Sequence, residues 1–272
     1  MNISIYHHAS LPHQIEWGNS FAKGLERHGI KPIIREYHSR AVVDDELAVF
    51  WGHGFRNELI REQQIKAGRH YLVMERGFFN DRFLHTSLGF DGFNGQACFL
   101  NHSSPSDRWV ASRTTLKDWC VEGEYYLLIG QIIGDNSCSN VDLKEWYRQV
   151  VESSDKPILF RPNPRPGYQK YIPSGVTLSS GTLEQDMGGA IAVITFSSTV
   201  GVDALLAGKP TVAYDPISMV YDIVPHRIQL TSLIEPDREQ WAYDLAYTQW
   251  SKGEIEAGLA WEHLRGMYDE NS

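Results

Sequence analysis

Long apolar runs are missing from this sequence. No stretch of about 18 consecutive apolar residues occurs, so no segment has the length and character of a membrane-spanning helix. The opening MNISIYHHAS has neither the basic n-region nor the apolar h-region of a signal peptide. Cysteine is scarce. Cys98, Cys120 and Cys138 are an odd set without metal-ligand spacing, which argues against a disulfide framework and suits a reducing cytoplasm. Positive charge is also short: 25 Lys and Arg stand against 34 Asp and Glu, a net charge of -9. A chain so charged has no general attraction for polyanions, and nucleic acid would need a local basic patch. There is no complete G-x-G-x-x-G fingerprint, no short-period repeat, no Asp-x-Asp sugar–metal motif and no His-x-Glu with Cys-x-x-Cys, so no obligatory metal is expected.

What is present is an alternation of strand and helix signals. Apolar runs at Asn2 to Tyr6, Lys31 to Glu36, Leu47 to Trp51 and Tyr71 to Glu75 predict strands. Helical spacing covers Gln14 to His28, and a second helix is expected from Glu58 to Ala67, capped by Asn57 and ended by Gly68. From about Phe78 to Glu122 the periodicity dissolves, as in a functional loop region. It resumes with strands at Tyr125 to Ile129, Pro157 to Arg161, Ala190 to Thr195 and Pro210 to Tyr214. A helix capped by Asn140 or Asp142 runs to about Val151, and helices near Arg238 to Trp250 and Glu254 to Met267 close the chain. The fold class expected is α/β, with two doubly wound halves. We place the domains at residues 1–122 and 123–272, with the last helices packing back on the first.

Ligands of open parallel sheets bind beyond the carboxyl ends of the strands. Ser197, Ser198 and Thr199 stand there, between the strand ending at Thr195 and the next helix, with Asp203 one turn on. A helix start exposes N–H groups and a positive dipole end, which suit phosphate. One of the three hydroxyls could equally be an ordinary cap. Two neighbouring strand ends carry similar groups. LLIGQIIGDNSCS, ending at Ser139, brings Gly130, Gly134, Asp135 and Ser137 to a strand-to-helix loop. LFRPNPRPG ends a strand at Arg161 and follows it with Asn163 and Arg165; the arginines suit phosphate or carboxylate, or form a solvated surface pair.

These segments resemble a known family. FSSTVGVDALLAGKPTVAYD is similar to the donor segment of bacterial capsule-type sugar transferases, which adopt the GT-B fold of two Rossmann-like domains facing a central cleft. ERG at Glu75 to Gly77, RPNP at Arg161 to Pro164 and SST at Ser197 to Thr199 follow the order of that family's three short signatures. Asn163 stands where the family has histidine, and Arg76 interrupts the acidic signature. FWGHG, YLVMERGFFNDRF, SLGFDGFNGQACF and LLIGQIIGDNS add a similarity to phage-encoded proteins described as glycosyltransferases. The resemblance implies a nucleotide-sugar co-substrate, UDP-linked or CMP-linked, and no further cofactor. It also implies a host-cytoplasmic protein and an acceptor that is a hydroxymethylated or already glycosylated base in double-stranded phage DNA.

Sugar transfer needs a base for the acceptor hydroxyl. Glu75, at a strand end beside a glycine, is the first candidate, or it forms an ion pair with Arg76 or Arg82. Asp91 is the second, or it shapes a turn; His8 is the third. His7, Trp51, His53, Arg76 and Arg82 are the candidate acceptor contacts. Trp17, Phe55, Phe78, Phe79 and Phe83 either stack on a ligand or fill the core. Arg108 and Arg113 join Arg76 and Arg82 as candidate contacts to DNA phosphates. Two alternatives stand beside the DNA transferase: a transferase acting on a surface polysaccharide or small acceptor, and a non-catalytic nucleotide-sugar binder. A nucleotide-sugar epimerase of the same shape fits less well.

Overall fold

The computed structural model describes residues 1–37, 44–138, 141–168, 171–227 and 233–269. The chain falls into two compact units, Met1–Arg113 with Gln240–Ser272, and Thr114–Glu239.

The first unit opens with β1 (Ile3–His7), α1 (Pro12–Arg27), β2 (Ile33–Glu36), β3 (Leu47–Trp51), α2 (Glu58–Lys66) and β4 (His70–Arg76). β1, β3 and β4 are nearly continuous buried runs, the pattern of parallel strands covered on both faces. α1 begins with Pro at its first turn, where the missing N–H costs nothing. It buries Trp17, Phe21 and Leu25 against Ile3, Ile5, Val49, Leu72 and Met74. Asn57 stands at the start of α2 but does not cap it. Its side-chain amide donates instead to the carbonyls of Trp51 and Gly52, at 2.7 and 3.0 Å.

The stretch expected to be irregular contains β5 (His85–Phe90), antiparallel to β4, and α3 (Asp107–Ser112). Thr86, Ser87 and Gly89 disguise β5 as a loop. They are nevertheless buried, and a Cβ at Gly89 would lie 2.5 Å from that of Ala97.

The second unit runs β6 (Tyr125–Ile129), α4 (Leu143–Ser153), β7 (Ile158–Arg161), β8 (Thr177–Leu178), α5 (Leu183–Gly188), β9 (Ala190–Thr195), α6 (Val200–Leu206) and β10 (Thr211–Ala213). Its sheet, in the order β10-β9-β6-β7-β8, is wholly parallel. Asp142 caps α4 by accepting from the N–H groups of Lys144 and Glu145. Ser139 and Asn140 lie outside the described residues.

The chain returns to the first unit through α7 (Glu239–Ala246), β11 (Gln249–Ser251), α8 (Lys252–Glu256), α9 (Leu259–Leu264) and α10 (Gly266–Asp269). The helix expected through Trp250 therefore stops early. Ser251 caps α8 in a capping box with Glu254, and the residues before it pair with β5. The first sheet then has the order β11-β5-β4-β3-β1-β2.

Residues 114–122 were expected in the first domain but group with the second unit. Lys117 N–H donates to Leu206 O at 3.0 Å and Cys120 N–H to Gly208 O at 2.8 Å. The buried Arg238 donates to the carbonyls of both Leu205 and Lys117.

Candidate functional site

In the second sheet the order of strands reverses between β6 and β9, which makes their carboxyl ends the switch point where such sheets take ligands. Gln131 follows β6 and Ser197 follows β9. Ser197 N–H donates to Gln131 Oε1 at 2.7 Å, and Gln131 Nε2 donates to Ser197 Oγ at 3.0 Å. Ser197 Oγ in turn donates to Ser137 O at 2.8 Å. The first hydroxyl of the cluster is thus buried and joins two loops. Ser198 Oγ accepts from Val200 N–H at 3.2 Å, while Thr199, formally the cap of α6, makes no side-chain cap bond. Asp203 lies in the first turn of α6. Gly134 takes a φ of 81°, and Asp135 accepts from both the N–H and the hydroxyl of Ser137. These three residues shape the loop that Ser197 holds.

Arg161 does not face this edge. Its guanidinium meets the buried carboxylate of Asp186 at 2.6 Å and also donates to Gly181 O at 2.8 Å. It alternates with the buried Phe160 along β7 and points toward α5, so it anchors that helix. Arg165 is different. Its guanidinium stacks on Tyr168 at 4.9 Å and has no ion pair among the described residues. Asn163 accepts from Arg165 N–H at 3.0 Å, which turns the chain after β7. Gly130, Gln131, Pro162, Asn163, Arg165, Tyr168 and Tyr171 line a small hollow at this edge. Gln131, Tyr168 and Tyr171 were missed from the sequence. A glutamine after a strand glycine carries no signal of its own.

The first sheet reverses its strand order between β1 and β3. His7 ends β1 there with His8 just after it, and Trp51 ends β3. His13, also missed, enters from the first turn of α1 with its ring 5.0 Å from that of Trp51. Arg76 lies 5.3 Å from the Trp51 ring centre and 4.7 Å from that of the exposed Phe83, with no ion pair among the described residues. Burial, then the Arg76 charge, lowers the pKa of His13. Burial, then Arg56 and His7, lowers that of His8, whose Nε2 is buried without a hydrogen-bond partner. Glu75, next to last in β4, has Oε1 beside Gly52: a Cβ on that glycine would lie 3.4 Å away, and its φ is 79°. Arg82 donates to Phe78 O and pins the turn after the Glu75 to Gly77 signature.

Three further candidates lie elsewhere. Asp91 accepts from Tyr71 N–H at 3.0 Å and contacts His70 Nδ1 at 2.5 Å. Because β5 is antiparallel, this is the amino end of β4, roughly 13 Å along the strand from Glu75. Its carboxylate closes the β4–β5 pair. His53 folds back over the sheet and stacks on Phe93 at 4.6 Å; burial, then the Arg61 charge, pushes its pKa down to about 4. Arg108 donates to Ala246 O, Gln249 O and Glu254, and covers the Trp250 ring at 3.8 Å, so it braces the first unit. Trp17, Phe78 and Phe79 are core residues, whereas Phe55 and Phe83 are 76% and 71% exposed. Among the described residues, no group of three His, Cys, Asp or Glu side chains could hold a metal ion, and no helix could cross a membrane.

No family model matches the chain, and no curated protein matches it in sequence. Solved structures do. The β-Kdo 2,4-transferase of Thermosulfurimonas dismutans KpsC has a TM-score of 0.59 at 14% identity, over 92% of this chain and 92% of that one. The β-Kdo 2,7-transferase of the same protein has a TM-score of 0.55 at 15% identity, over 95% and 98%. The fold is therefore the α/β architecture of GT-B glycosyltransferases, with a wholly parallel sheet in the second unit and, in the first, a parallel sheet extended by the antiparallel β5 and β11. At such identities the likeness speaks for fold alone.

Proposed function

We propose that this protein is a glycosyltransferase that moves a sugar from a nucleotide-sugar to a hydroxyl of a glycan or small acceptor. The observation that carries this is the linked pair Gln131 and Ser197 at the switch point of the second sheet, beside the hollow of Tyr168, Tyr171 and Arg165. The second unit takes the donor: the tyrosines flank the base, and Arg165 meets the phosphate. The first unit takes the acceptor among His8, His13, Trp51 and Arg76, with His7 at the rim.

Glu75 is the base. Its carboxylate takes the proton of the acceptor hydroxyl as that oxygen bonds to the anomeric carbon. The bond from that carbon to the donor phosphate breaks, and the nucleotide leaves with the electron pair, its charge met by Arg165 and by backbone N–H groups of the loops that Ser197 joins. A base in double-stranded DNA fits less well as acceptor. Arg108, one of four arginines suited to phosphates, is engaged inside the first unit, and the net charge is -9.

The test is thermal unfolding with UDP-, GDP-, CMP- and TDP-sugars, followed by transfer assays with glycan acceptors. One nucleotide class should raise the midpoint. Glu75→Gln should keep that shift yet lower transfer at least a hundredfold, within the range of general-base catalysis. The proposal fails if no nucleotide-sugar stabilises the protein, or if Glu75→Gln transfers at the wild-type rate. A gel shift with modified duplex at low salt should show no complex.

A further inference from the structure

The first unit holds a second cavity, of about 360 Å³, outside the residues that the proposed function gives to donor or acceptor. That volume lies within the range of small-ligand sites. It opens where β5 begins and β11 ends, at the same sheet edge as Glu75. The two share a wall: Gly77 N–H donates to His85 O at 3.1 Å, and a Cβ on Gly77 would lie 2.8 Å from both His85 Cβ and Gln249 Oε1.

Its chemistry is balanced. Arg108 uses three of its five N–H groups, on Ala246 O, Gln249 O and Glu254, which leaves two without a protein acceptor among the described residues. Glu254 accepts from Arg108 at 2.6 Å and from the N–H and hydroxyl of Ser251. His85 Nδ1 sits 3.0 Å from Asp81 O; a carbonyl can only accept, so Nδ1 donates there and Nε2 is the ring nitrogen left for a ligand. The buried ring of Phe79 supplies an apolar wall. Donors, acceptors and an aromatic face thus meet around an ion pair that is already closed. A carboxylate or phosphate drawn to Arg108 would face Glu254 at the same time. A hydroxylated neutral ring meets no such conflict.

We propose that this cavity binds a neutral sugar unit, a subsite for a ring of the acceptor next to the one that receives the transferred sugar. Its place in the reaction rests on the reading of the first unit as the acceptor side; the binding itself does not. The experiment is saturation-transfer NMR on the full chain without donor. The probes are methyl glucoside, methyl galactoside and methyl N-acetylglucosaminide, with glucuronate and glucose 6-phosphate as acidic comparators. At least one neutral glycoside should bind, and neither acid should. Ala111→Trp, at an exposed position of α3 on the cavity wall, should abolish the signal, and His85→Phe should weaken binding about tenfold, the effect of losing roughly one hydrogen bond. The inference is overturned if no neutral glycoside binds at tens of millimolar, if an acid binds better, or if folded Ala111→Trp binds as the wild type does. Midpoint shifts with nucleotide-sugars on the same samples separate the two readings. Donor binding without glycoside binding sinks this inference alone.

Discussion

Gln131 and Ser197 hold each other by two hydrogen bonds, at 2.7 and 3.0 Å, across the carboxyl ends of β6 and β9. The pair satisfies a backbone N–H that is buried with Ser197. Gln131→Ala would leave that N–H without a partner, at a cost of about 1–3 kcal/mol. Chemical denaturation should show that loss. Because the loop after β6 is then no longer tied, nucleotide-sugar affinity should fall with it. An unchanged denaturation midpoint would mean that water replaces the amide freely.

Arg161 and Arg165 should separate cleanly by substitution. Arg161→Met leaves Asp186 buried without its cation, which costs about 3–5 kcal/mol. Donor affinity measured on the folded variant should change little. Arg165→Ala should leave stability nearly untouched, as at an exposed site, and weaken donor binding about tenfold or more. Calorimetric titration beside urea unfolding distinguishes the two. The reverse pattern would restore Arg161 as the phosphate ligand.

His53 should make stability fall on acidification. Its pKa is near 4 in the fold, below the usual 6.5, so the unfolded chain takes up the proton first as pH drops. Its contribution is intact above about pH 6.5 and is lost as pH falls through that window toward 4. His53→Phe keeps a ring against Phe93 and removes the titration. Plotted against pH from 7 to 4, its urea midpoint should slope less than that of the wild type. A residual slope is expected from His8, His13 and His263, whose pKa values burial also lowers. Equal slopes would show that His53 opens to solvent.

Gly208 should tolerate no side chain. Its φ is 74°, and a Cβ would lie 2.0 Å from Asp118 O. The left-handed backbone alone disfavours alanine by about 1–2 kcal/mol. The contact with the 117–120 segment, held by Cys120 N–H on Gly208 O, must also open. Gly208→Ala should therefore lose more stability than the backbone term alone. A loss below 1 kcal/mol would show that the segment shifts without cost.

Much of the site lay open in local signals. Glu75, Ser197 and Asn163 stand at the ends of apolar strands, and the edge of a parallel sheet could be anticipated from them. What those residues do there could not. Ser197 looked like a ligand hydroxyl and joins loops, because its partner Gln131 is 66 residues away. Arg161 looked like a phosphate clamp and is bound to Asp186, whose burial no local pattern announces. His13 was passed over because a histidine in a helix start has no motif, and only the neighbouring strand brings Trp51 to it.

The sequence by itself determined the alternation of strands and helices, since parallel strands covered on both faces are apolar runs and the connecting helices show a 3.6-residue apolar spacing ended by breaks such as Gly29, Gly68 and Gly208. It also determined which residues stand at strand ends. The tertiary structure decided the order of strands, and with it the two switch points. It placed Asp91 at the opposite edge from Glu75 by running β5 antiparallel, and it drew β11 and the last helices into the first unit. Strand order and pairing depend on contacts between residues far apart in the chain, which no local periodicity encodes.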